Sequence, residues 1–281
     1  MHSQLEELQL ELAHTWGIVS LKLLQNRGYS QIYVAIRERE PKECIFKHIH
    51  DARDYAQEHQ ALRFFNGDGC VWELASDAKT RCLLLELARP GHTLASYFEY
   101  REPEAASVFC DLISKLHRPN HLSEAVSAAD IPTPSIADWL KSAWQSELAD
   151  SLRGDRDKAR DLSESLMASP SAKVFLHGDL HHQNIVFDAR RGWLAIDPKG
   201  VWGEPLFEAA LFVLNPLQAL ASCPDAASII KTRVVLLAKQ LNAEPERLKN
   251  WCYVRAVLGA IWSAEDGAPI DPWLKLMRHL S

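Results

Sequence analysis

Apolar and polar positions change their period along this chain. Short runs at residues 19–24, 32–36 and 43–49 alternate or stay apolar over strand lengths, and residues 72–75 and 81–86 add two more strands. Ser3 and Glu6 form a capping box ahead of Leu5, Leu8 and Leu12 at helical spacing, with Gly17 as the stop. Between the third and fourth strands, residues 51–65 switch to the helical period. Tyr55, Glu58, Leu62 and Phe65 share one arc, and Asn66-Gly67 ends the helix. From about His92 onward the helical period dominates. Ala105, Val108, Phe109, Leu112, Ile113 and Leu116 make a broad stripe ending at His117. Pro132 and Pro134 break the chain before a charged helical tract over residues 136–166, and residues 204–215, 226–241 and 245–264 predict three further helices. The pattern predicts an α+β chain, β-rich in its first third and mainly helical after it.

One interruption of the helical part carries the chemistry. Residues 173–176 predict a strand that leads into His177-Gly178-Asp179, with Asn184 five residues after Asp179. Residues 184–187 predict a second strand, 188–192 a turn, and 193–197 the return strand ending at Asp197. If Phe187 faces Trp193 across this hairpin, Asn184 faces Ile196, and Asn184 and Asp197 share its open end beside Asp179. Oxygen ligands of that kind suit Mg²⁺, which takes one or two carboxylates and completes its shell with water and phosphate oxygens. Asp179 is then left to act as a base. The neighbouring His177, His181 and His182 offer a transition-metal alternative, but no paired ligand spacing accompanies them. His177 is expected to hold the loop, and His182 or Gln183 to line an acceptor pocket.

The first third adds a second charged pair. Glu58 lies on the inward arc of its helix, and a buried carboxylate needs a partner. Lys47, in the preceding strand, is the natural one. The turn at residues 26–30 offers backbone N–H groups and the Ser30 hydroxyl to a phosphate, and reads equally as an ordinary hairpin turn.

Composition narrows the class. The chain has 281 residues, 47% apolar and 24% charged, which is globular and long enough for one large or two modest domains. A net charge of -6 argues against a nucleic-acid partner. Six scattered cysteines without paired spacing predict reduced thiols in a cytosol. No basic leader with an apolar run opens the chain, and no stretch reaches the roughly 18 to 20 apolar residues that span a bilayer.

An Asp, an Asn five residues on and a later Asp resemble the catalytic series of the protein-kinase-like fold. Gly178 stands where protein kinases have Arg, and Pro198 where they have the Phe after the metal-binding Asp, as in small-metabolite kinases. The stretch LHGDLHHQNIVF, followed by RGWLAIDPKGVWGEPLFEAA, is similar to the aminoglycoside phosphotransferase family, especially its streptomycin 6-kinase and hydroxyurea-resistance branch. The resemblance implies a two-lobe fold, with a small β-rich nucleotide-binding lobe over residues 1–88 and a larger, mainly helical catalytic and acceptor lobe over 89–281. It implies ATP and Mg²⁺ as cofactors, Asp179 as base, Asn184 and Asp197 as metal ligands, and Lys47 paired with Glu58 on the phosphates.

It further implies that Leu87 and Arg89 belong to a hinge contacting the adenine edge through backbone groups. Glu208, counted with the acceptor-side residues, stands where the family commonly has an Asp that steadies the catalytic loop. Trp262, Glu265 and Asp266 resemble an acidic patch on the acceptor side, and Trp202 is either a pocket wall or a core aromatic. Carboxylates near tryptophan suit a cationic hydroxyl acceptor such as an aminocyclitol. A fructosamine or amino-alcohol kinase and an inactive nucleotide-binding module are the alternatives. His181, where the fructosamine branch carries Trp, lowers the first, and intact Lys47, Asp179, Asn184 and Asp197 lower the second.

Overall fold

In the computed structural model, residues 11–98, 101–118, 133–146 and 152–280 are described. The capping box at Ser3 and Glu6 and the centre of the break at Pro132 lie outside them. The contacts divide the chain into two compact units. One holds the residues up to His92 together with Val186–Lys199, and the other holds Thr93–Pro119, Pro132–Ile185 and Gly200–Ser281.

The first unit is built on an antiparallel sheet in the order β1-β2-β3-β5-β4. Its strands are β1 Ile18–Arg27, β2 Ser30–Arg37, β3 Glu43–Ile49, β4 Glu73–Asp77 and β5 Cys82–Glu86. Alternation along β3 decides what each face carries. Cys44 and Phe46 enter an apolar cluster with Trp16, Ala35, Cys82 and Leu84. Lys47, one residue on, is therefore turned to the other face, in register with Ile32 and Leu83. The helix Ala52–Phe65 starts where Asp51 accepts from the Arg53 and Asp54 N–H groups and stops at Asn66, in the left-handed region with φ 45°. Its buried side includes Tyr55, Glu58, Leu62 and Phe65.

Chain from far along the sequence completes this unit. Strands β6 Pro90–Thr93, β8 Ile185–Asp188 and β9 Gly192–Ala195 form a small sheet in the order β6-β8-β9. Ala195 ties it to the loop before β4, donating to Gly69 O at 2.8 Å and accepting from Val71 N at 3.1 Å.

The second unit is mainly helical, with β7 Val174–Leu176 paired antiparallel to β10 Val201–Gly203. The helix Pro245–Glu265 is its axis: Trp251 to Ile261 are all buried, so this helix is apolar on every side. It packs against the helices Pro205–Val213, Arg153–Ala168 and Asp271–Met277. The tract expected as one helix over 136–166 is two among the described residues, Ile136–Trp144 and Arg153–Ala168. The first is fixed by a capping box of Ser135 and Asp138.

Candidate active site

In the first unit, Lys47 Nζ donates to both Glu58 oxygens at 2.7 Å and to Asp197 Oδ1 at 3.1 Å. Lys47 and Glu58 are almost fully buried, while the Asp197 side chain is 21% exposed. Burial by itself would lower the Lys47 pKa, but Asp197 and Glu58 outweigh it and raise it well above the ordinary ammonium value. Burial pushes Glu58 upward, and the charge of Asp197 adds to that against the pull of Lys47. One cation thus serves two carboxylates, an arrangement with room for a second positive charge.

Asp197 reaches Lys47 from outside the strands. Its φ of 60° is left-handed, so β9 ends at Ala195 before it. Asn184 also lies outside the hairpin, because residues His182–Asn184 form a 3-10 turn. His181 Nδ1 accepts from Gln183 N at 3.2 Å, and Asn184 N donates to His181 O at 2.9 Å. Asn184 thus precedes the strand expected to open with it, while Phe187 and Trp193 do meet edge to face, with ring centroids 5.3 Å apart.

In the second unit, Asp179 follows Gly178, whose φ is 86°. Asn184 Nδ2 donates to Asp179 O at 2.9 Å and to Asp179 Oδ2 at 3.2 Å. With its nitrogen so committed, the amide oxygen is the end that a cation would meet. Asp179 N donates to His177 Nδ1 at 3.2 Å, and His181 Nε2 lies 3.8 Å from Asp179 Oδ2. Beneath the loop, Glu208 accepts from Gly178 N at 2.6 Å, from His177 N at 3.3 Å and from His117 Nε2 at 2.9 Å. Burial favours the neutral acid at Glu208, yet the hydrogen bond and electrostatic pull of His117, with lesser help from His177 and the Gly178 N–H, hold its pKa below the usual carboxylate value.

These contacts correct several expectations. Glu208 does not face an acceptor, since its side chain is 0% exposed and both oxygens are committed to the loop. His182 is equally buried and stacks on Phe212, with ring centroids 4.0 Å apart, instead of lining a pocket. Ser30 does not present its hydroxyl to a phosphate: it opens β2 opposite Arg27 and is 0% exposed. Arg89 has no N–H available to an adenine edge, and its carbonyl already accepts one hydrogen bond. Its N–H donates to Asp188 Oδ2 at 3.0 Å and its carbonyl accepts from Ala189 N at 2.7 Å, while its guanidinium pairs with Glu43. Leu87 lines a cavity of about 310 Å³ with Glu40, Glu43 and Arg190.

Trp202 meets Phe175 edge to face at 5.2 Å and borders a cavity of about 180 Å³ with Met167 and Trp251. Trp262 is half-buried against Trp139, and Glu265 and Asp266 are exposed at the end of the same helix. The histidine alternative finds no support: among the described residues no three His, Cys, Asp or Glu side chains gather as a metal cage. Asp197, in the first unit, is a carboxylate of the kind Mg²⁺ takes when phosphates and water supply most of its shell, and the Asn184 amide oxygen, in the second, is a hard oxygen donor of the same type.

Sequence patterning passed over Arg255, which is buried with its Nη2 3.4 Å from Gly178 O. The available signal was a lone charge in the otherwise apolar run from Trp251 to Ile261.

Solved structures share this architecture. A choline kinase from Streptococcus pneumoniae matches with a TM-score of 0.68 at 12% identity, covering 100% of this chain and 99% of that one. A thermostable mutant of aminoglycoside phosphotransferase APH(4)-Ia matches with a TM-score of 0.68 at 15% identity, covering 96% and 97%. The fold is that of the protein-kinase-like phosphotransferases. Within it, the family model for aminoglycoside/hydroxyurea antibiotic resistance kinases matches residues 16–267, and the chain belongs to that family.

Curated relatives agree. A streptomycin 3''-kinase of Klebsiella pneumoniae is 29% identical over 212 residues, 74% of this chain and 76% of the relative. A streptomycin 6-kinase of Streptomyces griseus is 30% identical over 215 residues, 73% of this chain and 66% of the relative. A hydroxyurea phosphotransferase of Kitasatospora aureofaciens is 28% identical over 242 residues, 85% and 68%. The chain is an ATP-dependent phosphotransferase with an alcohol group as acceptor.

Proposed function

We propose that this kinase transfers the γ-phosphoryl group of ATP to a hydroxyl of an aminocyclitol antibiotic or a related cationic, sugar-like metabolite, and that it works in the cytosol. Residues 1–88 are the nucleotide-binding lobe in this reading, and 89–281 the catalytic and acceptor lobe. Asp179 accepts the proton of the acceptor hydroxyl as its oxygen attacks the γ-phosphorus and ADP leaves. Lys47 holds the α- and β-phosphates, steadied by Glu58. Mg²⁺, held by Asn184 and Asp197, would neutralise charge on the phosphate oxygens. Asn184 also keeps Asp179 turned by its two hydrogen bonds. Leu87 lies along the adenine, and Trp262, Glu265 and Asp266 lie on the acceptor side.

The observation that carries the reading is the single buried cation of Lys47 shared by Glu58 and Asp197. A structural ion pair needs one carboxylate, whereas a phosphate and metal site needs the second. The antibiotic acceptor is supported by the names of the relatives, and cytosolic residence by six free cysteines and by the absence, among the described residues, of a helix long and apolar enough to cross a membrane. ADP release measured over a panel of streptomycin, neutral polyols, fructosamine and choline, with and without Mg²⁺, tests it. Mg²⁺-dependent release with streptomycin is expected. Release confined to fructosamine or choline would move the acceptor, and nucleotide binding with no release for any alcohol would make the chain a binding module.

A further inference from the structure

The peptide that joins Gly178 to Asp179 is held at both of its polar ends. Its N–H donates to His177 Nδ1 at 3.2 Å, and its carbonyl accepts from Arg255 Nη2 at 3.4 Å. Gly178, at φ 86°, has no Cβ to bias its conformation, so covalent geometry does little to stop this peptide plane from turning. Rotation about the Gly178 Cα–C bond would swing the Asp179 carboxylate with it.

Arg255 is a costly group to keep there. It is 3% exposed, its guanidinium lies 4.7 Å over the Phe207 ring and 5.4 Å from the Trp262 ring, and its Nε and Nη1 have no hydrogen-bond partner. A buried cation with unmet donors is destabilising, and an apolar side chain of similar volume would be the more stable choice. Burial lowers its pKa to about 10, with Asp179 and Glu208 acting against the drop, so it stays charged at neutral pH. Glu208 does not pair with it, being committed to His117 and to the N–H groups of His177 and Gly178. The hydrogen bond that Arg255 does make is to the carbonyl directly before Asp179.

We propose that Arg255 is a positioning residue for Asp179, locking the Gly178–Asp179 peptide through the Gly178 carbonyl so that the carboxylate points at the acceptor hydroxyl. The inference rests on Asp179 being the base. Arg255→Met fills the slot between Phe207 and Trp262 without charge or donor, and Arg255→Lys restores both. Three measurements decide: thermal unfolding, hydrogen exchange over residues 178–184, and steady-state kinetics with ATP and streptomycin. The Met variant should unfold no earlier than the parent and exchange faster in the loop. Its kcat should fall about 10- to 100-fold, as a misplaced catalytic group does, with the KM for ATP nearly unchanged. The Lys variant should recover part of that loss. Full kcat in the Met variant, an unchanged loop, or loss of stability and activity together without gain from Lys would each overturn the lock. Turnover retained in Asp179→Asn would remove the base assignment instead, so the two failures are distinguishable, and the exchange measurement decides even if streptomycin is not accepted.

Discussion

The two units hold their key carboxylates by opposite means. In the first, Lys47, Glu58 and Asp197 are joined by direct ion pairs of 2.7 and 3.1 Å. In the second, the nearest loop nitrogen to the Asp179 carboxylate that could carry charge is His181 Nε2 at 3.8 Å, beyond hydrogen-bond distance. The place of Asp179 is set by Asn184, by peptide groups, and by a buried carboxylate, Glu208, that grips the two preceding N–H groups. The difference fits the two tasks. A group that holds phosphates works by its charge, so its neighbours bear directly on that charge. A group that receives a proton must keep its oxygen available, so it is fixed through the backbone.

The largest effect should come from the base itself. Asp179→Asn keeps the shape of the loop and removes the proton acceptor, so turnover should drop by roughly 10²- to 10⁴-fold while ATP affinity by calorimetry stays nearly intact. If that variant lost ATP binding as well, the contrast between the two regions would collapse.

Next comes the scaffold under the loop. Glu208→Ala leaves buried N–H groups unmet and should destabilise the fold by about 3 kcal/mol in urea unfolding. The Glu208 pKa is lower in the folded chain than its ordinary 4.5. Its contribution is therefore complete above that ordinary value and is lost as pH falls through the lower folded one. The stability gap between the parent and Glu208→Gln should accordingly close as the medium is acidified below that ordinary value. A gap independent of pH would mean that the carboxylate is not what holds the loop.

Lys47→Met should weaken ATP binding by about 10- to 100-fold, the worth of a charge-assisted hydrogen bond, and should slow turnover too. Adding Glu58→Gln should change little, since the pair is already broken. Additive losses would show that Lys47 and Glu58 act separately.

The smallest effect belongs to the exposed acids. Glu265→Gln with Asp266→Asn should raise the KM for streptomycin by only about 2- to 5-fold, as screened surface charges do, and that gain should fade with added salt. Neither change should touch ATP affinity. Insensitivity to both would take these residues off the acceptor side and leave the contrast between the two units intact.

Much of this was legible before any coordinates. Period and punctuation placed the five strands of the first sheet and five of the helices within a few residues, because burial on one face imposes a period on the chain that faces it. Glu58 on the inward arc of its helix called for a cation, and Lys47 is that cation. The Asp179–Asn184 spacing survives as two hydrogen bonds. Errors fell where neighbours distant in sequence set the outcome. Ser30 and His182 read as available polar groups and are buried, and Arg89 read as a hinge donor but is bonded to the end of β8.

The sequence by itself determined the elements, the charged residues that must find partners, and the family they resemble, because propensity, period and spacing are local properties. Only the tertiary structure decided that the hairpin carrying Asp197 joins the sheet unit, 150 residues from Lys47. It alone decided which N–H groups Glu208 grips beneath the loop, and that a lone arginine in an apolar helix meets the carbonyl before Asp179. Those contacts depend on which packed surfaces meet. Nothing in the local sequence around Asp179 encodes the helix, dozens of residues away, that supplies its support.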